Sequence, residues 1–232
     1  MTPLAGFPYA IPVFAGGQAV LPAAGRERTI AMIGTVHDGQ NYEIAKIVDF
    51  ARAAMADGWG FVVFTRHWGA GEAPPFGVEM VQDADTEAVY ERLRRCAFVL
   101  VFPGKGSWYT SDRITGALPL AISVGTPIVT TQLMAELYGF SEAGAGVVAA
   151  EGAEAMAAAV SAAGNSAPRY AALVAAVAAY RTRLLANNVA VIELVLRGVP
   201  AVARAMAEAG TLGDIMPLAD GFAQRQTPEL GC

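Results

Sequence analysis

The sequence predicts an α/β fold on a doubly wound, mainly parallel sheet with trailing C-terminal helices, and three observations predict it. Apolar runs without polar alternation recur at 29–34, 61–65, 97–102 and 128–130, the pattern of strands buried on both faces. Segments with apolar residues at helical spacing lie between them, and Gly or Pro punctuates the junctions. The chain has 232 residues, 54% of them hydrophobic and 16% charged, so it can bury a full core.

The elements follow in order. Residues 29–34, TIAMIG, form the first expected strand, and Ile44, Ile47, Val48, Ala51 and Met55 mark a helix that ends at Gly58. A second strand at 61–65 enters a Gly/Pro-rich loop, 66–77, and a short apolar segment, 78–81. A helix over 85–95 leads to the strand at 97–102. After Pro103-Gly104-Lys105-Gly106, the residues Thr110, Ser111 and Asp112 suit a helix start, and Ile114, Leu118, Ala121 and Ile122 give that helix its apolar face. Gly125-Thr126-Pro127 ends it, and strands follow at 128–130 and 146–149. Helices are expected at 151–163, along Tyr170, Leu173, Val174, Val177 and Leu184, and at 189–209. This divides the chain into an extended arm (1–28), a Rossmann-like domain (29–187), and a C-terminal helix with an irregular tail (188–232).

Composition excludes several classes. A formal net charge of -5 gives no general attraction to nucleic acid or acidic lipid. Cys96 and Cys232 form no disulfide framework or metal-ligand spacing, so no metal site is expected and the compartment reads as cytoplasm. Residues 1–25 carry no charge, but they lack a basic start, and Pro3, Pro8, Pro12 and Pro22 break any apolar helix, which argues against an export signal. Glu193, Arg197 and Arg204 interrupt the most hydrophobic C-terminal segment, so no membrane span is expected.

Right-handed crossovers place every strand's C-terminal end on one edge, where such sheets bind ligands. The expected site therefore gathers Gly34, Thr35 and His37 after the first strand, and Gly104, Lys105 and Gly106 after the strand at 97–102. The two glycines let backbone amides approach an anion, and Lys105, one of only two lysines, can meet a diphosphate as a point charge or remain a solvated loop residue. His37 can donate to a phosphate or carry a proton, or be an ordinary loop histidine, as can His67. Ser111, Asp112 and Arg113 sit where an anion meets free helix amides, and plain N-capping explains the first two equally well. The loop is no Walker A motif, and neither a nucleophile elbow nor G-x-G-x-x-G after the first strand is present.

The order of elements over 29–185 resembles the C-terminal, donor-binding half of GT-B glycosyltransferases of the large retaining group. The residues that carry it are the strand ending in Gly34, the stretch LRRCAFVLVFP at 93–103, LPLAISVGTPIV at 118–129, then Glu136 and GAGVV at 144–148. The resemblance implies a glycosyltransferase-like domain that binds a nucleotide sugar or sugar phosphate. Gly34, Thr35, Gly104, Lys105, Gly106, Ser111, Arg113 and Glu136 would bind the donor, and His37 and Asp112 would act in catalysis. No cofactor is implied beyond the nucleotide-diphosphate sugar as donor substrate, and an active enzyme of this kind would be a hexosyltransferase. Such enzymes place the acceptor on a second domain, so the resemblance also implies an acceptor-domain partner chain or a homo-oligomer. Two departures stand out: Leu120 falls where the family's ribose-binding glutamate lies, and Thr35 falls near its basic pair. They leave a second reading, a non-catalytic binding or scaffold module that kept the fold and lost the donor site.

Overall fold

The computed structural model describes residues 20–34, 36–37, 44–66, 68–69, 74, 77–102, 115–138, 140–149 and 152–197. The chain divides into two compact units; the sheet lies in Val13–Arg183, and residues 184–197 of the last helix belong to the other. The described elements are β1 (Glu27–Ile33), β2 (Val36–His37), α1 (Ile44–Ala56), β3 (Gly60–Thr65), β4 (Trp68–Gly69), β5 (Glu79–Gln82), α2 (Thr86–Arg95), β6 (Cys96–Val101), α3 (Ala117–Val124), β7 (Ile128–Thr131), α4 (Gln132–Leu137), α5 (Phe140–Ala143), β8 (Gly146–Ala149), α6 (Ala153–Gly164) and α7 (Ala167–Arg197).

Six strands form one sheet in the order β5-β3-β1-β6-β7-β8, and every neighbouring pair is parallel. Counted along the chain this is 3-2-1-4-5-6, the common doubly wound order, whose direction reverses between β1 and β6. The expected α/β Rossmann-like class is therefore the observed one. Alternate strand residues Ile30, Met32, Phe61, Val63, Phe98, Leu100 and Val129 join a core with Ile47, Val48, Ala51 and Ala54 of α1 and Met156, Val160 and Ala163 of α6. The intervening residues Ala31, Val62, Val99 and Ile128 are equally buried on the other face, where α2 and α3 pack against each other and on β6. Burial on both faces explains why these strands read as continuous apolar runs.

Helix ends follow local chemistry. Asp85 caps α2 by accepting from the Ala88 amide at 2.8 Å, and Thr131, the last residue of β7, caps α4. Gly125 ends α3 in the left-handed conformation, φ 72°, which costs glycine no steric penalty.

At the amino edge of the sheet Arg26 ties these ends together. Its Nη1 donates to the carbonyls of Arg94 (3.0 Å) and Cys96 (3.1 Å) and to Thr126 Oγ1 (2.9 Å), and its Nη2 donates to the carbonyls of Gly125 (2.7 Å) and Leu21 (3.2 Å). One guanidinium thus meets the carboxyl ends of α2 and α3, where helix dipoles favour a cation. Burial lowers the Arg26 pKa, pushes the Cys96 thiol up to about 12, and raises Tyr170, whose hydroxyl donates to the Ala97 carbonyl at 2.8 Å. Tyr180, ten residues further along α7, donates to the Tyr138 carbonyl at 2.6 Å.

Some expectations shift. Strand β1 begins at Glu27, inside the expected arm, and Val20 packs against the core cluster. Helix α3 starts at Ala117, so Thr110, Ser111 and Asp112 do not cap it. The separate helices expected up to Leu184 and from 189 are one helix through Arg197, because no Gly or Pro lies between Pro168 and Gly198 to stop it. Residues 1–19 and 198–232 lie outside the described residues.

Candidate functional site

Strands β1 and β6 are adjacent and parallel, with Met32 opposite Leu100, so the segments that follow Ile33 and Val101 leave the same rim side by side. This is the point where the strand order reverses, and in open α/β sheets the ligand crevice forms there. The rim owes its place to buried β-rich runs that end together, with glycines following both in sequence.

Among the expected site residues, Gly34 lies at this rim with φ 145°, a backbone that L side chains rarely adopt. Its amide already donates to the Phe64 carbonyl at 3.0 Å, so Gly34 serves the rim by leaving space rather than by offering a hydrogen bond. The backbone of His37 lies in β2, which pairs in parallel with β4: Val36 opposite Trp68 and His37 opposite Gly69. Glu136 is exposed on α4, which starts at the carboxyl end of β7, and it accepts a hydrogen bond from Gln132. Thr35, His67, Gly104, Lys105, Gly106, Ser111, Asp112 and Arg113 lie outside the described residues. Leu120 is half-buried on α3.

Two cations of the rim are not among the expected residues. Lys46, in the first turn of α1, holds its ammonium 5.9 Å from the centre of the Phe102 ring, at the end of β6 just before the Gly-Lys-Gly loop. Arg66 directly follows β3 and is exposed. It lines a cavity of about 270 Å³ with Ile33, Gly34, Phe64, Asp83 and Val89. The signal for Arg66 is its position, a basic residue immediately after an apolar strand.

A larger cavity, about 450 Å³, opens at the amino edge beside Arg26, Arg28, Trp59 and Tyr170. Its long polar side chains are already bonded to protein: Arg28 donates to the carbonyls of Gly58 (3.2 Å) and Asp57 (2.8 Å) and to Asn165 Oδ1 (2.6 Å), and its guanidinium lies 4.3 Å from the Trp59 ring centre. Size alone therefore does not mark the site. Among the described residues no group of His, Cys, Asp and Glu could hold a metal ion, and no helix is long and apolar enough to cross a membrane.

Strand order and layering define a doubly wound α/β domain of the Rossmann-like class. Solved structures place it more closely. The chain superposes on WaaG, a glycosyltransferase involved in lipopolysaccharide biosynthesis, over 68% of its own length and 44% of that chain, with a TM-score of 0.50 and 14% identity. For sucrose-phosphate synthase of Thermosynechococcus elongatus the values are 78% and 47%, 0.51 and 15%. For the glycotransferase of kitacinnamycin they are 79% and 46%, 0.50 and 18%. The chain thus spans less than half the length of each, and the fold is that of a partial, C-terminal-like domain of the GT-B glycosyltransferases. No protein-family model and no curated protein matches the sequence.

Proposed function

We propose that the chain is a glycosyltransferase-like domain that binds a nucleotide sugar or sugar phosphate at the rim between β1 and β6. The observation that supports this reading is the adjacency of the carboxyl ends of β1 and β6 at the reversal of strand order, in a fold shared with GT-B glycosyltransferases. Lys46 and Lys105 supply positive charge to a diphosphate, and the amides of Gly104 and Gly106 cradle it. Stabilising the leaving diphosphate is then the main catalytic contribution. In this reading His37 and Asp112 act on the reacting groups, with Thr35, Ser111, Arg113 and Glu136 around the donor, and the donor is a substrate with no separate cofactor. Hexosyl transfer is completed in the cytoplasm by a partner chain or a second copy that supplies the acceptor wall and excludes water.

Titration calorimetry of the full chain with uridine, guanosine and adenosine diphosphates tests the binding step. Saturable heat with one of them is the expected result, and Lys46→Ala is expected to weaken it about tenfold through loss of a charge-assisted contact. The absence of saturable heat with all three favours the non-catalytic module.

A further inference from the structure

The cavity on the far side of Gly34 holds two opposite charges that do not meet. Arg66 follows β3 and Asp83 follows β5, and the register that sets Thr65 opposite Gln82 makes them the next residues of neighbouring strands. Side by side at strand spacing, a guanidinium and a carboxylate ordinarily pair. Here the strand direction is abandoned at Asp83, whose φ of 51° is the single positive value at a non-glycine residue among the described residues. Both residues line the 270 Å³ cavity, and among the described residues no ion pair or hydrogen bond joins either to the protein outside its own helix cap or strand. The other arginines at strand ends behave differently. The Nη groups of Arg26 donate to carbonyls and to Thr126, Arg28 donates to carbonyls and Asn165, and Arg92, on α2, bridges Glu27 and Glu79.

The cavity is lined by the apolar side chains of Ile33, Phe64, Val81 and Val89 together with the exposed Arg66 and Asp83. Such a site fits a small ligand with an apolar or planar body, an anionic group at one end and a hydroxyl or amine donor at the other. A planar guanidinium donates to two phosphate oxygens at once in a fixed fork, which a lysine ammonium does not.

We propose that Arg66 is a phosphate-binding residue of this rim, and that Asp83 accepts a hydrogen bond from a hydroxyl or amine of the same ligand. The proposal rests on the reading of the rim as a nucleotide-sugar or sugar-phosphate site. It adds that the loop after the second main strand supplies charge to the ligand, alongside the loops after the first and fourth.

The experiment uses the full chain, wild type, Arg66→Ala, Arg66→Lys and Asp83→Asn, with thermal shift and calorimetry against the three nucleoside diphosphates, their parent nucleosides and inorganic pyrophosphate. Arg66→Ala is expected to weaken the bound diphosphate at least tenfold and to leave the parent nucleoside unchanged. Arg66→Lys is expected to recover part of that loss, and Asp83→Asn to weaken the nucleoside and the diphosphate alike. If a diphosphate binds Arg66→Ala as tightly as wild type, the role of Arg66 is overturned and the nucleotide reading stands. If no nucleotide binds but pyrophosphate raises the melting temperature of wild type and not of Arg66→Ala, the anion role stands and the nucleotide reading falls. If neither nucleotide nor pyrophosphate binds, both fall.

Discussion

At the amino edge of the sheet the guanidinium of Arg26 gives all its Nη hydrogen bonds to carbonyls and to Thr126, whereas at the carboxyl edge Arg66 lines a cavity with Asp83, and among the described residues the two form no ion pair. The same side chain closes one end of the molecule and leaves the other open. Thr126 reinforces the closed end by donating to the Leu93 carbonyl at 2.8 Å while accepting from Arg26, which explains a threonine in the Gly-Thr-Pro turn. The contrast teaches that the bonds that hold the fold and the charges proposed to hold a ligand lie at opposite edges of one sheet, so substitutions can separate them.

The largest expected effect is at the closed edge. Arg26→Ala leaves several carbonyls without their donor and should cost about 3 kcal/mol, read as a lower urea midpoint. Gly164→Ala comes next: an added Cβ would collide with the Trp59 ring, and overpacking of this kind costs about 2 kcal/mol. The third test is pH. Burial holds the Cys96 thiol protonated up to about 12 in the fold, while the unfolded chain releases that proton near the ordinary value of 9.0. The thiol's contribution is therefore fully present below pH 9.0 and is lost as pH rises toward 12. Cys96→Ala should flatten the fall in melting temperature over that alkaline range.

Effects at the open edge should be smaller in stability. Asp83→Gly relieves a left-handed backbone at a non-glycine residue and should stabilise by about 0.5 kcal/mol. Arg66→Ala should change stability by less than about 0.5 kcal/mol while weakening diphosphate binding at least tenfold. A destabilised Arg66→Ala, or a harmless Arg26→Ala, would erase the distinction between the edges.

Much of this architecture is legible in the residues themselves. Runs such as TIAMIG, FVVFT and AFVLVF show no polar alternation because helices cover both faces, and Gly125 marks the end of α3 because only a left-handed residue closes it there. The rim's position also follows from the alternation of strands and helices. Three things do not follow. Two-residue strands such as β2 and β4 are too short to show a period, so their pairing is invisible in sequence. Ser111 and Asp112 have the residue types of a helix cap, but α3 begins at Ala117 with Gly116 at its N-cap, since capping chemistry fixes a preference and not a position; Ser111 and Asp112 themselves lie outside the described residues. Arg66 and Lys46 escape notice because each is a lone basic residue, and only the strand register and the Phe102 ring reveal which edge they share.

The short β2–β4 ladder ties the stretch after β1 to the stretch after β3. Neither can swing outward alone without breaking the rungs between Val36 and Trp68 and between His37 and Gly69. A molecule gripped at Arg66 would hence tighten the strip that carries His37, and amide exchange along both strips should slow together.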